Sequence, residues 1–461
     1  MIKLDPNFQL FPVNKYNNLI ILFFFIFLTN CSVVDPVGIW KSSEKEIKRV
    51  ADLEKKQKEI INTETIFSSD NIFSEEKNLN TKIVLSKPKN NLEWKMSSLN
   101  YQNSTGNIFL SGVENNFLKK KIGKNKFSYS NIMQSPLAYN NKLFFSDNNG
   151  TIFCINEIGE VIWKKNIYKK LYKKIYKNLS LTIYKKNIYI SDNIGFIYSI
   201  DLTNGNLKWV KNHGIPLKSK IKVFDNKIFV INQDNRIISF NSKNGSIIWD
   251  IRSIPSFIKL QNLLSLSISN RGHLVSIDTS GTLTKANTKD GSIFWTINIA
   301  DSAFAHSTDF FKTSDVVLDN DRVFISTQSS INSFDLSTGA NIWKLKISSA
   351  DAPIINGKNM FIVTKNGFFV IININNGKII SSKNILNLLK KRKRTTKVSG
   401  FIMGSNKMYS LTHNGFLIIS SPTTGEPENF KKIGGLITSS PIISNGNLYI
   451  RTKKSKIFGF N

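Results

Sequence analysis

Cysteine is almost missing from this chain: its 461 residues contain two, Cys31 and Cys154. A disulfide framework is excluded unless those two pair, and a cysteine-based metal centre needs more ligands. Histidine is nearly as scarce. His213, His273, His306 and His413 stand apart, in no HxxxH or HxxE spacing, and read as loop or sheet-face residues. Acidic residues are few as well, with 32 Asp+Glu against 63 Lys+Arg and a net charge of +31. Such a surplus bears on association rather than on fold. Arginine, the residue of planar bidentate contacts, supplies only 8 of the cations, and no nucleic-acid motif accompanies them. That combination argues against nucleic-acid binding. The charge reads either as a lysine-rich composition spread over the surface or as a basic face attracted to anionic lipid. Long hydrophobic runs are also lacking. The longest, LIILFFFIFL at 19–28, has ten residues, whereas a helix crossing a bilayer core takes about 20.

That run suits the apolar region of a secretory signal, with Lys3 and Lys15 ahead of it. It leads into Leu28-Thr29-Asn30-Cys31, which resembles a bacterial lipoprotein signal, in which the cysteine is lipidated and becomes the mature N-terminus. Asn30 departs from the usual small residue, and Ser32 stands where an Asp would favour inner-membrane retention. The resemblance implies lipidation at Cys31 and an outer-membrane address. Residues 32–85 show no strand alternation, and the charged stretch 44–60 (EKEIKRVADLEKKQKEI) reads as a solvated tether. The expected organisation is a signal peptide at 1–30, a lipidated N-terminus and tether at 31–88, and one large domain at 89–461.

What the chain does have is a repeat. Five times a tryptophan follows a glycine by four positions: Gly159/Trp163, Gly205/Trp209, Gly245/Trp249, Gly291/Trp295 and Gly339/Trp343. Successive glycines are 46, 40, 46 and 48 residues apart, the spacing of a repeat architecture. Within a unit such as IYISDNIGFIYSIDLTNGNLKW (188–209), β-rich runs alternate with Asn/Asp/Gly turns. A further short run precedes each, as at 221–224 before Asp225-Asn226. Four antiparallel strands in 40–48 residues make a β-propeller blade. Two later units keep the glycine, Gly377 and Gly425, and carry Ser381 and Glu428-Asn429 where tryptophan would be.

The final unit reaches Asn461 at the position of Asp201, Asn241, Asn287 and Asp335, leaving its blade one strand short. Trp94, in NNLEWK at 90–95, has no unit before it and is expected to complete that blade and close the ring. Counting Trp94, Trp163, Trp209, Trp249, Trp295 and Trp343 with the two degenerate units gives an all-β, eight-bladed propeller; seven blades is the alternative.

The pattern Asp-x-x-x-Gly-x-x-x-Trp, at 201–209 and 335–343, resembles the docking repeat of quinoprotein-like propellers. This superfamily holds pyrroloquinoline-quinone (PQQ) dehydrogenases and the BamB family of outer-membrane assembly lipoproteins. The lipoprotein signal, tether and single propeller look like the latter. That resemblance implies a non-catalytic scaffold without cofactor or metal, binding a POTRA domain of BamA at the periplasmic face of the outer membrane. By blade order the docking loops are 253–260 (SIPSFIKL) and 303–315 (AFAHSTDFFKTSD). Their candidate contact residues are Phe257, Ile258, Leu260, Asp309, Phe310, Phe311 and Asp315. An apolar cluster rimmed by charge suits an interface. The family's key arginine in the first loop has no match, since Lys259 and Leu260 stand there. PQQ alcohol dehydrogenases carry an adjacent-cysteine disulfide over the cofactor, and Cys154 has no neighbouring cysteine. A quinone-dependent dehydrogenase, or another ligand-binding periplasmic propeller, is the alternative function. Two basic stretches, 168–177 and 390–394, read as solvated inter-blade loops.

Overall fold

The computed structural model describes residues 73–78, 81–125, 134–172, 175–252, 263–300 and 312–461. Cys31, Phe257, Ile258, Leu260, Asp309, Phe310 and Phe311 lie outside these residues. Among the described residues, 32 strands pair into eight four-stranded antiparallel sheets, which settles the blade count at eight. Blade one runs outward from the channel through Leu137–Tyr139, Lys142–Ser146, Thr151–Asn156 and Val161–Asn166. Blades two to seven follow at 179–212, 222–251, 266–298, 317–345, 354–384 and 398–432.

The local chemistry explains this plan. The two middle strands of each blade lie between neighbouring blades, so both faces are buried and the sequence runs apolar without alternation, as in Leu143-Phe144-Phe145. The turn after each innermost strand holds residues at positive φ, such as Asn140 and Asn141 (48° and 57°), giving the tight hairpin whose twist matches the strands. At the end of the second strand one side chain closes the next turn: Asp192 Oδ1 accepts from the N–H groups of Ile194, Gly195 and Phe196 at 3.0, 2.9 and 2.8 Å. Thr364 and Thr412 accept from Phe368 and Phe416 in the same way. In the outer turn, the repeated acid has a structural partner as well: Asp201 accepts from the N–H of Thr203 at 2.8 Å, and the Thr203 hydroxyl and Lys208 hold its carboxyl well below the usual range.

In blade one the outermost strand is exposed except for Trp163. Its ring lies against Gly205 of the next blade, where a Cβ would come within 2.7 Å of Trp163 Cε3. Trp209, Trp249, Trp295 and Trp343 lie in the same way on Gly245, Gly291, Gly339 and Gly377. These four indoles also donate to the next blade, to the carbonyls of Ser242, Thr288, Leu336 and Ile374 at 3.2, 3.3, 3.1 and 2.8 Å.

Ring closure departs from the sequence expectation in one particular. The strand that completes blade eight is Asn116–Lys121, paired with Lys456–Phe460. The docking residue at this junction is Leu118, which touches the place a Cβ on Gly159 would take, at 2.7 Å. Trp94 is not part of any blade-docking pair; it exchanges backbone hydrogen bonds with Ala138 on the innermost strand of blade one, at 2.7 and 3.0 Å. The reason is one of reach. Leu118 precedes Gly159 by 41 residues, in step with the repeat, whereas Trp94 precedes it by 65.

Trp94 belongs to a segment, 81–113, that crosses the end of the channel and is tied to every blade. Beyond Ala138, Ile183 donates to the Lys95 carbonyl at 2.7 Å, and Ile268 and Leu318 donate to those of Tyr101 and Gln102 at 2.8 Å. Lys222 donates to Ser97 O at 2.9 Å and Asn100 O at 2.7 Å. Asn356 accepts from the Ser86 N–H at 2.8 Å. Ser405 donates to Ile108 O at 2.8 Å and Asn445 to Asn91 O at 2.7 Å. The free inner edges of six sheets thus find backbone partners one or two bonds at a time, and blades three and six are tied through side chains. A shorter piece covers an outer edge: Lys77 pairs with Ser382 beside blade six, and Phe73 meets Phe368 edge-on at 5.5 Å.

Both basic stretches join neighbouring blades, as the sequence suggests, and the described part of each has fixed contacts. Ile385–Thr395 forms 3₁₀ turns, capped by Asn384 and anchored by buried Ile385, Leu386 and Leu389. In 168–177, Tyr168 donates to Asp192 at 2.6 Å, and the buried Lys177 amine donates to the carbonyls of Tyr172 and Ile175 at 2.5 and 2.9 Å.

Candidate functional site

The innermost strands and the 81–113 segment enclose a cavity of about 320 Å³. Trp94, Ser97 and Ser98 contribute to its wall from the crossing segment, and Lys220, Asp315, Asp351 and Arg451 from the blades. Lys220 Nζ lies 2.6 Å from Asp315 Oδ2, and Ser98 donates to the same oxygen at 2.5 Å. Burial alone would raise the Asp315 carboxyl, but Lys220 and the hydrogen bonds outweigh it and hold the group below its ordinary value. Burial likewise opposes the charge on Lys220, and Asp315 overcomes it and raises the ammonium. Asp351 has the Ser440 hydroxyl and the Ala352 N–H as donors, and burial lifts it above the usual carboxylate value. The Arg451 guanidinium sits 4.7 Å over the Phe145 ring and donates to Ser146 O at 2.6 Å; burial brings it down to about 10. Lys222, fully buried, is pushed down to about 7 by the same cause, offset in part by Asp315.

Asp315, expected in the partner-facing loop, is therefore 7% exposed and engaged by Lys220 of its own chain. The channel cluster has no local signature in the sequence, because its members come from the approaches to different blades. One signal was present: Lys218, Lys220 and Lys222 recur at every second position just where an innermost strand is due. The two candidate loops join consecutive blades. Residues 253–260 follow the outermost strand of blade three, Ile247–Ile251, and 303–315 follow that of blade four, Ile293–Asn298.

The family model described as outer membrane protein assembly factor BamB matches residues 119–251 and 148–383, more than half of the chain. The chain belongs to the BamB family. Among its relatives, the outer membrane protein assembly factor BamB of Yersinia pestis is 19% identical over 381 residues, covering 76% of this chain and 91% of that protein. The crystal structure of BamB from Moraxella catarrhalis superposes with a TM-score of 0.59 at 11% identity, over 74% of this chain and 99% of that one. The quinohemoprotein alcohol dehydrogenase of Comamonas testosteroni gives 0.60 at 9% identity, over 80% of each chain. At these identities the two structures attest the fold.

The dehydrogenase likeness raises the question of whether this BamB-family channel suits a quinone with Ca²⁺. Such a group calls for oxygen ligands free to face a cation and for cations free to face the quinone's carboxylates. Here Lys220 and Asp315 neutralise each other, and Asp351 accepts from Ser440. Among the described residues no three His, Cys, Asp or Glu side chains gather in a metal-holding group. Cys154 is buried in the strand Thr151–Asn156, and burial pushes its thiol up to about 11. The residues present do not fit the cofactor.

Proposed function

We propose that this protein is a non-catalytic scaffold of the β-barrel assembly machinery, helping outer-membrane proteins insert by binding a POTRA domain of a BamA-like partner. The observation that carries this reading is family membership over more than half of the chain. The channel chemistry supports it, since the buried acids and bases are turned on one another and on the chain's own 81–113 segment. Docking is assigned to the neighbouring connections 253–260 and 303–315, with Phe257, Ile258, Leu260, Asp309, Phe310 and Phe311 as contact residues. Aromatic anchors in such a position carry most of the energy of an interface. The body is held at the periplasmic face of the outer membrane by a lipid on Cys31 and the tether that follows.

A pull-down with the POTRA region of the cognate BamA-like protein tests the assignment. The protein should be retained, and Phe310→Ala with Phe311→Ala should weaken retention while the propeller melts as before. Unchanged retention removes those residues from the interface. Oxidation of alcohols by protein incubated with PQQ and Ca²⁺ would instead establish the dehydrogenase.

A further inference from the structure

The outermost strands of the eight blades are unequal in charge. Those of blades eight, one and two, NFLKKK (116–121), VIWKKN (161–166) and LKWVKN (207–212), carry seven lysines and no acid. The other five together carry four lysines and two acids. A lysine-rich composition would spread evenly around the ring; this charge is gathered on three consecutive blades.

The lysines are also placed in a common way. Lys120, Lys165 and Lys211 run their stems over the glycine turn of the next blade, reaching within 2.8, 2.9 and 2.7 Å of where a Cβ would stand on Gly159, Gly205 and Gly245. The stems cover apolar junctions and the ammonium groups emerge in a row, one per junction. Lys208 is paired with Asp201 at 3.0 Å. Lys119, Lys120, Lys121, Lys164, Lys165 and Lys211 are exposed and have no ion-pair partner among the described residues. The acids that precede these three outermost strands in sequence, Glu114, Glu157, Glu160 and Asp201, sit in or beside the turns at one end of the strands. Between the lysines stand exposed aliphatic side chains: Val161 (45%), Ile162 (46%), Leu207 (50%) and Val210 (41%).

We propose that the outer faces of blades eight, one and two form a docking surface for an anionic phospholipid bilayer. Lysine is a compact point charge suited to a diffuse layer of phosphates, and the absence of arginine from the patch removes the fork that reads a defined carboxylate or base edge. Exposed aliphatics beside the lysines suit the headgroup–acyl boundary, where charge attraction and shallow apolar burial act together. This inference does not depend on the assembly partner.

The test is flotation of the full-length protein with phosphatidylethanolamine–phosphatidylglycerol vesicles and, separately, with phosphatidylcholine vesicles. The difference between the two cancels any contribution of a lipid anchor. The intact protein should prefer the anionic vesicles roughly tenfold or more at low salt, and a K120Q/K165Q/K211Q variant should lose most of that preference. Replacing the same three with Arg should keep it, and so should K289Q/K358Q/K378Q, which removes exposed lysines from blades four and six. Equal partition of the intact protein into both vesicles overturns the proposal. So does an undiminished preference in the first variant, an equal loss in the control, or capture of an acidic protein or duplex DNA through these lysines while anionic vesicles are ignored. If the glutamine variant melts early, the comparison rests on the arginine variant against the intact protein across a salt series. Salt-insensitive binding in both then counts against the surface.

Discussion

Beside Gly205 there is no room for a methyl group. The residue is at φ 70°, and the Trp163 ring fills the space on its Cα. Gly205→Ala adds backbone strain to a clash, which should cost about 2–4 kcal/mol. Trp163→Ala should cost about 3–5 kcal/mol by opening a cavity. In urea titrations the double variant should lose less than the sum, because removing the ring makes way for the methyl. Strict additivity would mean the two residues do not act as one contact. Lys222 offers a second reading at this scale. Its two acceptors, Ser97 O and Asn100 O, match the two hydrogens of a neutral amine, in keeping with a value pushed down to about 7. The unfolded chain binds that proton up to about pH 10.4 while the folded chain releases it near 7, so this group makes stability rise with pH across that window. Lys222→Met should flatten the rise seen between pH 7 and 9. An unchanged slope would locate the titration elsewhere.

Among the elements, the closing strand and the crossing segment have separable duties. Asn116–Lys121 covers the edge of Lys456–Phe460, while 81–113 satisfies inner edges and floors the channel. A chain that starts at residue 114 should remain monomeric on size exclusion but melt at lower temperature. One that starts at 123 should associate through the uncovered edge. The same elution for both would show that the edge is otherwise protected. These two elements also mark the limits of what the sequence made legible. Blades one to five could be read because a docking tryptophan and its glycine recur in each, and blades six and seven because the glycine persists at Gly377 and Gly425. Blade eight has Leu118 in the docking position, so the eye passes to Trp94; only the spacing to Gly159 betrays the substitution. The crossing segment has no period at all, since its contacts are spread over eight different sheets. The channel pair Lys220–Asp315 joins residues 95 positions apart, which no local pattern can foretell.

For the molecule as a whole, the net charge of +31 sets a general repulsion against the compact state. Raising NaCl from low salt to physiological strength, where charges are screened beyond about 8 Å, should raise the melting temperature. A fall would mean that attractive pairs such as Lys220–Asp315 outweigh the repulsion. The strand that closes the ring adds a constraint of time. Asn116 meets Phe460, so the segment 116–121 stays without its partner while residues 122–455 are synthesised. A strand that waits this long is open to every wrong neighbour that passes. Three consecutive lysines, Lys119 to Lys121, are a guard suited to that interval, because like charges along an edge discourage pairing with other lysine-rich strands. The ring thus closes only when the last of its described strands reaches the first.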